Sequence, residues 1–212
     1  AALGGIVGIF EMPNTNPLTT TPEALEHKIK RGTETAYTDF AYYFGGTFEN
    51  SKNLPLWEKL DGVCGIKIFM GASTGNLLSA TDEEVEAVVA NGNRVIAVHA
   101  EDEFLMNENK KTILKDSNDV GMHCKWRDVN SSLNATKRVV SLAKKHNRHV
   151  HVLHITTAEE MDYLRNHKDT ATVEVLPNHL TFHAPDCYEQ LGTLAQQNPC
   201  LLYTSPSPRD RY

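Results

Sequence analysis

Long hydrophobic runs are missing from this 212-residue sequence: no apolar stretch approaches the ~20 residues that a membrane-spanning helix needs. No signal-peptide pattern opens it. Cysteine is scarce. The four residues Cys64, Cys124, Cys187 and Cys200 are scattered, with no Cys-x-x-Cys pair, so they read as reduced thiols of a cytosolic protein. Positive charge is not in excess either. A formal net charge of −6 and a pI near 5.9 give no reason to expect nucleic-acid or membrane binding. There is no close internal repeat and no linker before residue 200. The length is ample for one hydrophobic core.

What the sequence does contain is a β/α rhythm. Short apolar stretches over residues 6–11, 40–44, 66–70, 95–99, 150–154 and 172–175 read as strands. Between them lie helix signals. Thr21-Pro22-Glu23 reads as N-cap, first-turn proline and first-turn acid of a helix running to about residue 31. Thr81-Asp82-Glu83-Glu84 is a capping box opening a helix to about residue 90, and Thr157-Ala158-Glu159-Glu160 is another. A further helix is expected over about 134–146. Residues 101–126 form a polar, weakly periodic excursion, longer than a plain barrel loop. Strands alternating with helices predict parallel βαβ units, an α/β protein. A whole (β/α)8 barrel needs about 250 residues, so the expectation is a partial TIM barrel.

Three residues stand out within that rhythm. Lys67 sits inside the apolar run Gly65-Ile66-Lys67-Ile68-Phe69-Met70-Gly71, where a lysine is costly unless something neutralises or uses it. His99 and His154 each end a strand-like run. A single histidine at a strand end is more often structural than a ligand, and Lys67 by itself could snorkel to the strand end. His27, His146 and His167 lie in polar helical stretches and read as solvated. His149 and His151 alternate with the neighbours of His154, so only part of that cluster can face one site. The shared context raises the weight of Lys67, His99 and His154: each lies on its own strand, followed by a loop or a helix cap. In a parallel barrel such positions converge at one mouth.

The motifs Met12-Pro13-Asn14-Thr15, Lys67-Ile68-Phe69-Met70-Gly71-Ala72-Ser73-Thr74-Gly75-Asn76, His99-Ala100-Glu101-Asp102 and His154-Ile155-Thr156-Thr157-Ala158 follow one another in the order seen in dihydroorotases. The sequence from about residue 1 to 199 resembles that family, a lysine-type bacterial branch of the amidohydrolase superfamily. The resemblance implies a (β/α)8 metal-dependent amidohydrolase barrel. It also implies reversible, zinc-dependent cyclisation of N-carbamoyl-L-aspartate to L-dihydroorotate in pyrimidine synthesis. Two zinc ions would sit at the C-terminal face, bridged by Lys67 once carboxylated, because a neutral amine that captures CO2 becomes an anionic carbamate. His99 and His154 match the ligands of the second metal. Asn14 matches a substrate-binding asparagine, and Asn198-Pro199 resembles the start of a second substrate motif. Asn178-His179-Leu180 resembles a His-His-Leu segment with its first histidine replaced. His179 is read there as an outer neighbour at best, with a structural role about as well supported.

Other parts of the family pattern are not in this sequence. The His-x-His-x-Arg motif would precede residue 1 and the metal-binding, proton-shuttling aspartate would follow residue 199, so no catalytic residue is assigned here. The sequence begins Ala1-Ala2-Leu3-Gly4-Gly5 without a methionine. At the other end, one codon choice turns residues 200–210 into a transposase-type library adapter. The expectation is therefore an internal fragment: residues 1–199 a partial amidohydrolase barrel, inactive by itself, and residues 200–212 adapter read-through that packs against nothing. A cytoplasmic enzyme acting on a small molecule is implied, with homo-oligomer formation left open. The alternatives are a dihydropyrimidinase, hydantoinase or allantoinase, which also carry the bridging lysine, and a non-catalytic homologue serving in assembly.

Overall fold

The computed structural model describes residues 1–71, 77–114 and 117–202. Residues 72–76 of the loop after Lys67, and residues 203–212 of the expected read-through, lie outside these. Six parallel strands form one sheet in strictly sequential order: β1 (Gly8–Glu11), β2 (Asp39–Gly45), β3 (Val63–Phe69), β4 (Ile96–His99), β5 (Val150–Val152) and β6 (Ala171–Val173). Each crossover is covered by helix: α1 (Pro22–Thr35) and α2 (Leu54–Trp57), α3 (Asp82–Val89), α4 (Glu103–Ile113), α5 (His123–Trp126) and α6 (Val129–Lys145), and α7 (Ala158–Leu164). Two short helices, α8 (Pro177–Thr181) and α9 (Asp186–Leu191), follow β6. The result is a curled, open, six-stranded part of a (β/α)8-type barrel, as the β/α rhythm predicts.

Alternation along each strand splits the core into two layers. Tyr42, Phe44, Ile66, Ile68, Ile96, Val98, Val150 and Val152 face outward and pack with Val85, Val88, Ala135 and Val139 of the helices. Each such fully buried side chain contributes about 1.5–3 kcal/mol. Tyr43, Ala97 and Leu153 form a smaller inner cluster. Lys67, paired in register with Gly45 and Ala97, shares that inner face. Below the strand ends the inner face is an open trough of about 520 Å³, lined by Phe10, Met12, Tyr43, His151, Leu153 and Glu174 among others.

Several elements depart from the sequence expectations. The expected strand at 150–154 stops at Val152, because His154 takes a left-handed backbone (φ 38°) that no strand accommodates. The helix expected from 134 starts at Val129, where the Asp128 carboxylate accepts the Ser131 N–H at 2.9 Å. The excursion over 101–126 is more ordered than its weak periodicity suggests. Asp102 caps α4 by accepting the Phe104 and Leu105 N–H groups, both at 3.1 Å. The capping box at Thr81 and Glu84 is formed as predicted.

The tail also departs from expectation in its described part. Cys200, Leu201 and Leu202 are buried rather than loose. The Leu201 carbonyl accepts the Ala184 N–H at 2.7 Å, Thr156 Oγ1 donates to the Cys200 carbonyl, and Leu201 packs with Cys187, Tyr188 and Ala195. Two leucines after a buried cysteine are apolar enough to fill a gap beside α9, whatever their origin.

Candidate metal centre

Three strand exits position the site. His99 is the last residue of β4, Lys67 lies two residues before the end of β3, and His154 follows β5 by two residues. His99 Nδ1 lies 3.2 Å from His154 Nε2, and the two rings meet edge to face with centroids 4.8 Å apart. Direct zinc–nitrogen bonds of about 2.0–2.1 Å at a tetrahedral angle place two ligand nitrogens about 3.3 Å apart. The observed spacing fits that donor pair.

Both imidazoles are held neutral. Burial lowers the His99 pKa, against the opposing pull of Glu101. Burial also lowers that of His154, to about 2, with His99, Lys67 and His179 adding to the effect. Neutral imidazole is the form that ligates a metal. The linkage sign follows. Above pH 6.5 both folded and unfolded chains carry a neutral His154, and below it only the unfolded chain takes the proton. Stability is therefore lost as the pH falls from 6.5 toward 2, at up to about 1.4 kcal/mol per pH unit. At pH 5 the loss from this residue is on the order of 2 kcal/mol. Urea denaturation at pH 7 and pH 5 checks this. His154→Gln is expected to lose less stability on acidification than the parent, and an unchanged difference would remove His154 as the cause.

Lys67 is only 2% exposed. Its Nζ donates to the Ile68 carbonyl at 2.6 Å and sits 3.5 Å from the centre of the Phe69 ring. Burial drives its pKa well below the ordinary lysine value, with Glu174 opposing. It acts electrostatically on both imidazoles, although its direct partners are a carbonyl and a ring rather than either histidine. The neutral amine, which burial favours, is the form that can attack CO2.

The remaining predicted site residues are placed less centrally. Asn14 is exposed in the loop after β1, at the same end of the sheet. Asn198 is exposed, and its Oδ1 meets His123 Nε2 at 3.2 Å, so α5 holds it rather than the histidine pair. His179 is buried on α8, 3.3 Å from Gln197 Nε2, and within electrostatic reach of His154.

Three residues in the site escaped sequence reasoning. Glu101 is buried, its Oε2 2.6 Å from His99 Nε2, and it is paired with the equally buried Arg127. Glu174, just past β6, accepts the His154 N–H at 2.9 Å and so holds the left-handed turn that aims the imidazole at His99. Glu101 could have been found from its place two residues after a strand-end histidine. Neither Arg127 nor Glu174 carries a local signal. Among the described residues no group of three His, Cys, Asp or Glu side chains forms a metal site. No helix among the described residues is long and apolar enough to cross a membrane.

No protein-family model matches the chain. It is similar to a protein named dihydroorotase from Methanosphaera stadtmanae, 30% identical over 206 residues that cover 95% of this chain and 46% of that one. A second protein of that name, from Methanosarcina acetivorans, is 32% identical over 213 residues, covering 95% of this chain and 45% of its own length. Among solved structures, an L-hydantoinase (dihydropyrimidinase) from Arthrobacter aurescens superposes with a TM-score of 0.86 at 27% identity, over 95% of this chain and 46% of that one. The chain thus spans about half the length of the curated relatives it matches.

Proposed function

We propose, from the similarity to two proteins named dihydroorotase, that this chain is part of an amidohydrolase of that kind and that the whole protein is a cytoplasmic, zinc-dependent cyclic-amide hydrolase interconverting L-dihydroorotate and N-carbamoyl-L-aspartate. The observation that carries the reading is the 3.2 Å approach of two neutral imidazole nitrogens beside a buried lysine. Zinc, when bound, supplies polarisation of the ring carbonyl and an acidified water. His99 Nδ1 and His154 Nε2 are the donor atoms this chain presents to it. Lys67 would offer a third donor if its neutral Nζ formed a bond to the carbon of CO2. One C=O π pair moves to oxygen, the Nζ proton leaves to solvent, and the product is a carbamate anion. Asn14 and Asn198 are assigned to substrate, as amide groups able to donate to a carboxylate. A hydantoinase is the second reading, favoured by the 0.86 superposition on an L-hydantoinase.

The test uses the purified chain with zinc and 13C-bicarbonate. A carbamate 13C resonance that appears in the parent and is absent in Lys67→Ala is expected. Turnover of L-dihydroorotate or hydantoin by this chain alone is not expected, because the described residues offer two histidines and one lysine where two metals need more donors. Absence of the carbamate signal would remove the lysine-type assignment. Turnover by the isolated chain would show that these donors suffice. A whole protein that hydrolyses plain hydantoins faster than L-dihydroorotate would put the second reading first.

A further inference from the structure

The polar excursion between β4 and α6 has no part in the reading above, yet its two ends meet at the site. Glu101 opens it and Arg127 closes it. Both are buried, at 1% and 4% exposure. Arg127 Nε donates to Glu101 Oε1 at 3.0 Å while its terminal nitrogen donates to Oε2, a two-point grip that sets the plane of the carboxylate. Oε2 also lies 2.6 Å from His99 Nε2. The same loop is pinned elsewhere. The Asp102 N–H donates to the Ser131 carbonyl at 2.9 Å, and Asp102 Oδ2 accepts from Asn134 at 2.6 Å and Arg138 at 3.0 Å. The Arg127 guanidinium lies over the Trp126 ring at 5.0 Å. Gly71, at the exit of β3, leaves room for this loop: a Cβ there would stand 2.5 Å from the Glu101 carbonyl oxygen.

We infer that Glu101 and Arg127 are a positioning pair that fixes His99 with its proton on Nε2, leaving the Nδ1 lone pair aimed at His154. The inference rests on the zinc reading for its purpose but not for its geometry. A guanidinium only donates, so the carboxylate it grips is an acceptor, and the 2.6 Å contact requires the ring proton on Nε2. His99 Nδ1 is then an acceptor, and at 3.2 Å it takes the Nε2 proton of His154. The two ligand candidates are therefore unequal. His99 is preset for a metal at Nδ1, whereas His154 must move its proton to Nδ1 before its Nε2 can serve. A buried carboxylate behind a ligating histidine is worth about 10- to 100-fold in metal affinity.

The experiment uses the full chain labelled with 15N at histidine, read by long-range 1H–15N correlation without metal and then with zinc. Without metal, Nε2–H is expected for both His99 and His154. With zinc, His154 is expected to change tautomer while His99 does not. Glu101→Ala is expected to lose the fixed His99 tautomer and to bind zinc about 10- to 100-fold more weakly in competition with a chromophoric chelator. A proton on Nδ1 of His99 in the parent chain would overturn the inference, and that readout stands even if Glu101→Ala fails to fold. A folded Glu101→Ala with the parent tautomer and unchanged zinc affinity would overturn it too. If the parent binds no zinc but shows the Nε2–H tautomer, and the variant loses it, the pair stands and the zinc reading falls.

Discussion

Replacing Lys67 with methionine is expected to make the folded chain more stable at pH 7 and, on the proposed zinc reading, to abolish the proposed carbamate and weaken zinc binding more than about a hundredfold. The two effects have opposite signs because the residue is a liability to the fold and an asset to the site. Lys67 is 2% exposed, and among the described residues its immediate partners are the Ile68 carbonyl and the Phe69 ring face. Burial drives its pKa well below 10.5, so between the folded value and 10.5 the unfolded chain binds a proton that the folded chain does not. Stability must therefore rise with pH across that window, and every pH unit of depression costs about 1.4 kcal/mol at lower pH. Methionine keeps the unbranched shape without an amine to desolvate. Urea denaturation at pH 7 and pH 9.5 decides the matter. The parent should gain stability with pH more steeply than Lys67→Met, and Lys67→Met should exceed the parent at pH 7. A less stable variant would mean that the amine is better solvated than its burial implies.

The largest loss of stability is expected from Glu58→Ala, at the opposite end of the sheet. Glu58 caps α2 and is 2% exposed. Its carboxylate accepts the Asn93 N–H at 2.7 Å, the Arg94 N–H at 3.1 Å and Arg148 at 3.3 Å. Arg148, itself buried, also donates to the Arg94 and Asn91 carbonyls, both at 2.9 Å. Gly92, at φ 87°, is what allows the approach, since a Cβ there would lie 2.4 Å from Glu58 Oε2. Removing the carboxylate leaves a buried guanidinium uncompensated and strands two backbone donors, at about 3–5 kcal/mol. For a domain of this size that is a fall in melting temperature of roughly 10 °C. Glu58→Ala combined with Arg148→Met is expected to be less damaging than Glu58→Ala alone, because the orphaned charge goes with it. Additive losses would show that the pair is not coupled. Zinc affinity should not change in variants that remain folded, since Glu58 lies at the strand starts and the histidine pair at the strand ends.

Local pattern in the sequence was enough to place the six strands, the caps at Thr21, Thr81 and Thr157, and the three residues Lys67, His99 and His154 at or near strand exits. Those features depend on period-two alternation and on capping chemistry, which act over a few residues. The sequential parallel order followed from the β/α rhythm for the same reason. Pairing across the chain had no such signal. Arg127 meets Glu101 across 26 residues, Glu174 meets His154 across 20, and His154 meets His99 across 55. A sequence states which groups are present, but the curl of the sheet decides which of them share an unsolvated space. That is why the histidine pair could be expected only as a convergence of strand ends. The carboxylate behind His99, the backbone turn at His154 and the burial of Cys200 to Leu202 emerged only in the tertiary structure, where desolvation forces every buried donor and apolar surface to find a partner.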